Sequence, residues 1–193
     1  MKKLLLIVDA QYDFLVGGNL PVEGAKENMD KLAKYLGESE HAKVAFTLDW
    51  HPVTHCSYVT NGGEWPVHCV HYTHGASIYQ PIADAVFAKM AATDVKIYLK
   101  GEHPEVEEYS FIQNEDNKEM FAVSMDCDGG IDEIEVCGIM SRVCVLNTVK
   151  DLVKCGYKDK VVVKLDFIGA DDDNRELIEY CKSNDIKLGK IDS

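Results

Sequence analysis

The chain has 193 residues, 46% of them hydrophobic and 27% charged, with a formal net charge of −13 and seven cysteines. That size suits one well-filled core, so residues 1–193 are expected to form a single domain. The acidity argues against nucleic-acid or anionic-membrane partners, which need clustered Lys and Arg, and no apolar run approaches the ~20 residues of a membrane span.

The first residues, Met-Lys-Lys-Leu-Leu-Leu-Ile-Val-Asp, have the positive start of a signal peptide but only five apolar residues before Asp9. They read instead as a strand over 4–8, apolar throughout and so buried on both faces. A Gly-Gly-Asn turn at 17–19 follows, then a helix from Ala25 with Met29, Leu32, Ala33 and Leu36 on one face. A second strand over 43–48 runs into Asp49. Residues 49–77 show no period but hold many His, Cys, Gly, Pro and Trp, the mark of a functional loop. Ile78, Ile82, Ala85, Val86 and Met90 mark another helix, and 95–99 a third strand ending at Lys100.

Residues 101–118 read as a polar loop, and 119–125 fit neither period. A fourth strand over 134–139 leads through a tight turn into an amphipathic helix with Val145, Leu146, Val149, Leu152 and Val153 on its apolar side. A fifth strand over 161–165, a helix around 174–181 and a short last strand at 186–188 complete the pattern. Alternating strands and helices predict an α/β fold, a mostly parallel six-stranded sheet with helices on both faces in a Rossmann-like three-layer arrangement. The scattered cysteines, without paired Cys-x-x-Cys spacing, fit a reduced, cytoplasmic protein.

In open parallel sheets, sites form beyond the carboxyl ends of the strands, and the notable polar residues fall there. Asp9 ends the first strand, Asp49 and His51 the second, Lys100 the third, and Cys144 follows the fourth. Singly, each has an ordinary role as turn former, solvated side chain or buried small residue. Together, Asp9, Lys100 and Cys144 suit nucleophilic attack on an amide carbonyl. The ammonium and the start of a helix favour the thiolate, and the carboxylate moves the proton. Asp49 and His51, with His68 and His55, form a nitrogen and oxygen set suited to zinc, manganese or iron. Cys56 and Cys69 rank below them as soft ligands.

The motifs resemble the isochorismatase-like cysteine hydrolases, and among these the nicotinamidases. The resemblance runs from about residue 5 to 163 and rests on Val8-Asp9-Ala10-Gln11-Tyr12-Asp13-Phe14, the Gly17-Gly18-Asn19-Leu20 turn, Asp49-Trp50-His51-Pro52 with His55, and Trp65-Pro66-Val67-His68-Cys69. Lys100-Gly101 leading to Pro104-Glu105-Val106-Glu107, and Cys137-Gly138-Ile139 leading to Cys144, complete it. It implies hydrolysis of nicotinamide to nicotinate and ammonia through a thioester. Asp9 is then the general base and acid, Lys100 the thiolate stabiliser and Cys144 the nucleophile. The backbone N–H groups of Met140 and Cys144 would bind the oxyanion, after a non-proline cis peptide at Ile139–Met140. Asp49, His51 and His68 would hold a divalent metal, zinc first, with His55 as a fourth position, and Phe14 and Trp65 would flank the ring. A small-molecule substrate and a homo-oligomer are in keeping with it.

The chain departs from the family at Gly138-Ile139-Met140-Ser141-Arg142, where Gly-x-Ala-Thr-Asp is usual. Met140 and Arg142 therefore open a second reading, another small carboxamide as substrate. The match around Asp171-Asp172-Asp173 is loose. Isochorismate hydrolysis fits less well, because those enzymes lack the cysteine. A non-catalytic relative would be expected to have lost part of the Asp9, Lys100 and Cys144 set.

Overall fold

The computed structural model describes residues 1–170 and 173–189, so Asp171 and Asp172 lie outside the described residues. Its six strands are β1 (Lys3–Val8), β2 (Lys43–Asp49), β3 (Val95–Lys100), β4 (Glu133–Ile139), β5 (Val161–Gly169) and β6 (Lys187–Gly189). They form one sheet in the order β3-β2-β1-β4-β5-β6, every pair parallel. β1, β2 and β4 are buried almost end to end. This is why residues 4–8 read as an unbroken apolar run and β2 and β4 as mostly apolar ones.

Five helices cover the sheet: α1 (Ala25–Glu38), α2 (Gln80–Phe87), α3 (Glu115–Asp126), α4 (Leu146–Lys154) and α5 (Arg175–Ser183). From β1 the chain builds outward to β2 and β3, then returns to add β4, β5 and β6 on the other side. Right-handed crossovers in opposite directions place α1 and α2 on one face and the later helices on the other. α1 packs against α2, and Tyr35 on α1 meets Phe167 on β5 with ring centroids 4.8 Å apart. The order reverses between β1 and β4, which opens a crevice at their carboxyl ends.

Three elements differ from the sequence reading. Residues 115–126 form α3 where a loop and an undecided stretch were expected. Asn114 caps this helix by accepting the Asn117 N–H at 3.1 Å, while exposed Met120 and Val123 blur its apolar stripe. α2 is shorter than its apolar pattern, since Ile78 and Met90 pack on the core from outside the helix. β5 runs on to Gly169, and its register against β4 shifts between Val136 and Gly138.

Candidate active site

The crevice gathers its chemistry from four strand ends. Asp9 follows β1 at φ 49°; its N–H donates to the Thr47 carbonyl at 3.0 Å and its Oδ1 accepts the Thr47 hydroxyl at 2.7 Å. Asp49 and Lys100 are register partners at the ends of β2 and β3. The Lys100 ammonium lies 2.9 Å from Asp9 Oδ2 and 3.6 Å from Cys144 Sγ, and also pairs with Asp49 Oδ1. All four residues are buried, Asp9 and Lys100 completely. One cation thus serves two carboxylates and a thiol.

Burial lowers the Lys100 pKa, but Asp49 and Asp9 more than reverse this, so the ammonium is held well above its ordinary range. For Asp9, burial dominates over the pull of Lys100, and with Asp49 nearby it rises to about 6. Burial likewise raises Asp49, but Lys100 and His51 hold it well below the usual carboxylate range.

Cys144 sits within a π-helical turn, Ser141–Val145, that precedes α4. The peptide Ile139–Met140 is cis, and the Met140 carbonyl accepts the N–H groups of Val143 and Val145 at 3.2 and 3.1 Å. Gly138 at the end of β4 has φ 120° and lies so close to β1 that a Cβ would fall 2.0 Å from the Val8 carbonyl oxygen. Opposing influences act on the Cys144 thiol. Burial pushes Cys144 well above the ordinary thiol range; Lys100 opposes this, and Asp9 and Asp49 add to it. The Asp9 carboxylate lies beside the thiol, and Lys100 is the neighbour that pulls toward the thiolate.

Asp49, His51 and His68 offer ligand atoms that all lie within 4.8 Å of one another. His51 Nδ1 faces the Gly101 carbonyl at 2.9 Å, and His68 Nδ1 faces the Pro66 carbonyl at 2.7 Å. A carbonyl oxygen only accepts, so each Nδ1 carries a proton and each ring turns its Nε2 away from that carbonyl. Those Nε2 atoms point at the Asp49 carboxylate, at 3.6 and 3.7 Å. Two oriented imidazoles converging on a carboxylate fit a divalent metal.

His55 lies beside the Asp49, His51 and His68 group. Its Nε2 donates to the Val106 carbonyl at 3.0 Å, and its Nδ1 meets the Ser57 hydroxyl at 2.7 Å. It stacks on His51 at 4.0 Å and groups with His51 and Glu107, not with Asp49 and His68. Stacked in this way, it braces the His51 ring.

The long loop is pinned from the β1 side. The Gln11 side chain donates to the Asp49 and Ala76 carbonyls and accepts the Asp49 N–H. Asp13 accepts the Cys69 N–H at 2.7 Å and the Asn19 N–H at 3.1 Å. A cleft opens over Cys144 and the histidines, with Phe14, Trp65 and Met140 in its wall. Arg142 is exposed and takes no part in that wall. Leu20, Glu107, Tyr109 and Val143 also line the cleft and were not expected as site residues. Leu20 and Glu107 fall within the quoted motifs, but Tyr109 lies in an aperiodic polar stretch that gives no signal.

No family model matches the chain. Among curated proteins, the nicotinamidase of Escherichia coli is 31% identical over 180 residues, spanning 83% of this chain and 80% of that protein. The chain belongs to the nicotinamidase family. Family likeness extends to the backbone: the pyrazinamidase of Pyrococcus horikoshii, solved in complex with zinc, superposes with a TM-score of 0.81 at 29% identity, covering 99% of this chain and 100% of that one. The yeast nicotinamidase bound to the inhibitor nicotinaldehyde gives a TM-score of 0.80 at 26% identity, over 97% of this chain and 99% of that one. The single α/β fold read from the strand and helix pattern is the fold of this family.

Proposed function

We propose that this protein hydrolyses nicotinamide to nicotinate and ammonia through a thioester on Cys144. The observation that carries the reading is the approach of Lys100 to both Cys144 and Asp9, at 3.6 and 2.9 Å, under a cleft shared with Asp49, His51 and His68. The nicotinamidase relatives, one of them bound to nicotinaldehyde, support the choice of substrate.

Asp9 takes the thiol proton as Sγ bonds to the carboxamide carbon, and the Lys100 ammonium holds charge on the sulfur. The carbonyl π electrons move to oxygen, where the backbone N–H groups of Met140 and Cys144 receive the oxyanion. As the C–N bond breaks, Asp9 returns its proton to the leaving nitrogen and ammonia departs. Asp9 then deprotonates a water that attacks the thioester, and C–S cleavage frees nicotinate and restores the thiol. Phe14 and Trp65 flank the pyridine ring. Asp49, His51 and His68 would hold a divalent ion, zinc first and manganese or iron as alternatives, which would supply Lewis acidity toward the ring nitrogen. We assign the protein to the cytoplasm, in keeping with its seven free cysteines.

The test is ammonia release from nicotinamide by metal-replete protein, beside Cys144→Ala and a chelated sample. Cys144→Ala is expected to lower kcat by a factor on the order of 10⁴ or more, and chelation to reduce release. Release that survives Cys144→Ala overturns the mechanism. Met140 in the cleft wall favours a second reading, a different small carboxamide. Failure on nicotinamide, with activity gained by Met140→Ala, would select it.

A further inference from the structure

The loop after β3 carries a carboxyl group that the proposed chemistry leaves unused. Glu108 is only 8% exposed, although glutamate ordinarily keeps its carboxyl in water. Its Oε2 accepts the backbone N–H of Gly101 at 2.7 Å. Gly101 directly follows Lys100, and its own carbonyl is the acceptor that fixes His51 through Nδ1 at 2.9 Å. The Lys100 carbonyl in turn accepts the Trp50 N–H at 2.9 Å. This single dipeptide therefore serves both halves of the site. The Lys100 side chain meets Asp9 and Cys144, and the Gly101 carbonyl orients the His51 ring.

The step is also tightly confined. Gly101 has φ 68°, and a Cβ there would lie 2.2 Å from the His51 ring. β3 is an edge strand that ends at Lys100, and Gly101 lies just past its end. A buried carboxyl is costly unless it is hydrogen-bonded; here its bond is spent on holding this turn.

We propose that Glu108 is a positioning residue that fixes the Lys100–Gly101 turn, setting His51 for metal binding and Lys100 for the thiol together. It rests on the reading of Asp49, His51 and His68 as a metal set. Two variants of similar size separate acceptor from bulk. Glu108→Gln keeps an oxygen for the Gly101 N–H, and Glu108→Met removes it. Zinc affinity, measured by competition with a chromophoric chelator, is the readout, with thermal melting of the zinc-free proteins alongside. Glu108→Met is expected to weaken zinc binding roughly 10–100-fold while remaining folded, and Glu108→Gln to stay close to wild type. Absence of zinc binding in the wild type would overturn the metal reading itself. Wild-type binding that Glu108→Met leaves unchanged would overturn the positioning role alone. A Glu108→Met protein that does not fold would also count against it, since the residue would then support the fold. So would a Glu108→Gln protein as weak as Glu108→Met, which would make charge the cause.

Discussion

Replacing Lys100 by Met tests how the site is held together before any substrate arrives. The ammonium is fully buried and lies between Asp9, also fully buried, and Asp49 at 5% exposure. Met fills much of the same space, so the change removes charge rather than volume. Stripping one partner from a buried ion pair costs about 3–5 kcal/mol, because the other charge stays out of water without compensation. Here two carboxylates lose the same cation. Asp9 keeps the Thr47 hydroxyl at 2.7 Å, and Asp49 keeps His51 and His68 at 3.6 and 3.7 Å. Those contacts keep the loss within the stated range instead of doubling it. Against a typical total stability of about 5–15 kcal/mol this is a large fraction. At about 2–4 °C per kcal/mol for a chain of this size, the melting temperature should fall by roughly 6–20 °C. Urea unfolding and thermal melts of metal-free protein at neutral pH measure it, and the deficit should shrink in mild acid as the stranded carboxylates take up protons. A Lys100→Met protein that melts within about 2 °C of wild type would refute the picture of one cation neutralising the crevice.

Glu135 sits under α1, within 2.9 Å of Lys3 and His41 and 3.2 Å of the Tyr35 hydroxyl. Burial raises its pKa, but the His41 and Lys3 hydrogen bonds prevail and hold it at about 2, against an ordinary 4.5. A depressed carboxylate stabilises the fold above its unfolded pKa, so that stability should be lost between pH 4.5 and about 2; acid titration of Glu135→Gln should lack this part of the transition. Gly138→Ala forces a Cβ to within 2.0 Å of the Val8 carbonyl at φ 120°. Backbone strain and overpacking of about 1–3 kcal/mol each should lower its urea midpoint markedly and displace Asp9 from Cys144; an unchanged midpoint would contradict the β1–β4 spacing. Trp65→Ala should raise KM roughly tenfold with a smaller change in kcat, since aromatic stacking is worth about 0.5–1.5 kcal/mol. A fall in kcat alone would remove Trp65 from ring binding.

The sheet is legible in the sequence because β1, β2 and β4 are buried on both faces, and apolar residues predominate in such strands despite exceptions such as Thr47 and Glu135. Asp9, Asp49, Lys100 and Cys144 are legible because a parallel sheet collects its strand ends on one side. α3 is not, since Met120 and Val123 face outward and erase the period. The balance of influences on the Cys144 thiol also escapes a linear reading. Residue types reveal a neighbouring Lys, but the balance depends on how completely water is excluded and on two carboxylates brought from distant strands. His55 has the spacing of a ligand, and only the folded loop shows its bonds to Val106 and Ser57 and its place beside His51 and Glu107. Glu108 and Tyr109 lie in a polar stretch whose shape is set by what it packs against, so no pattern marks them.

Mass spectrometry of protein quenched in acid during turnover of nicotinamide tests the central claim most directly. A thioester on Cys144 predicts a nicotinoyl adduct on the peptide carrying that residue, absent from Cys144→Ala and absent before substrate is added. Steady turnover with no adduct at Cys144, or with the adduct on another of the seven cysteines, would contradict it.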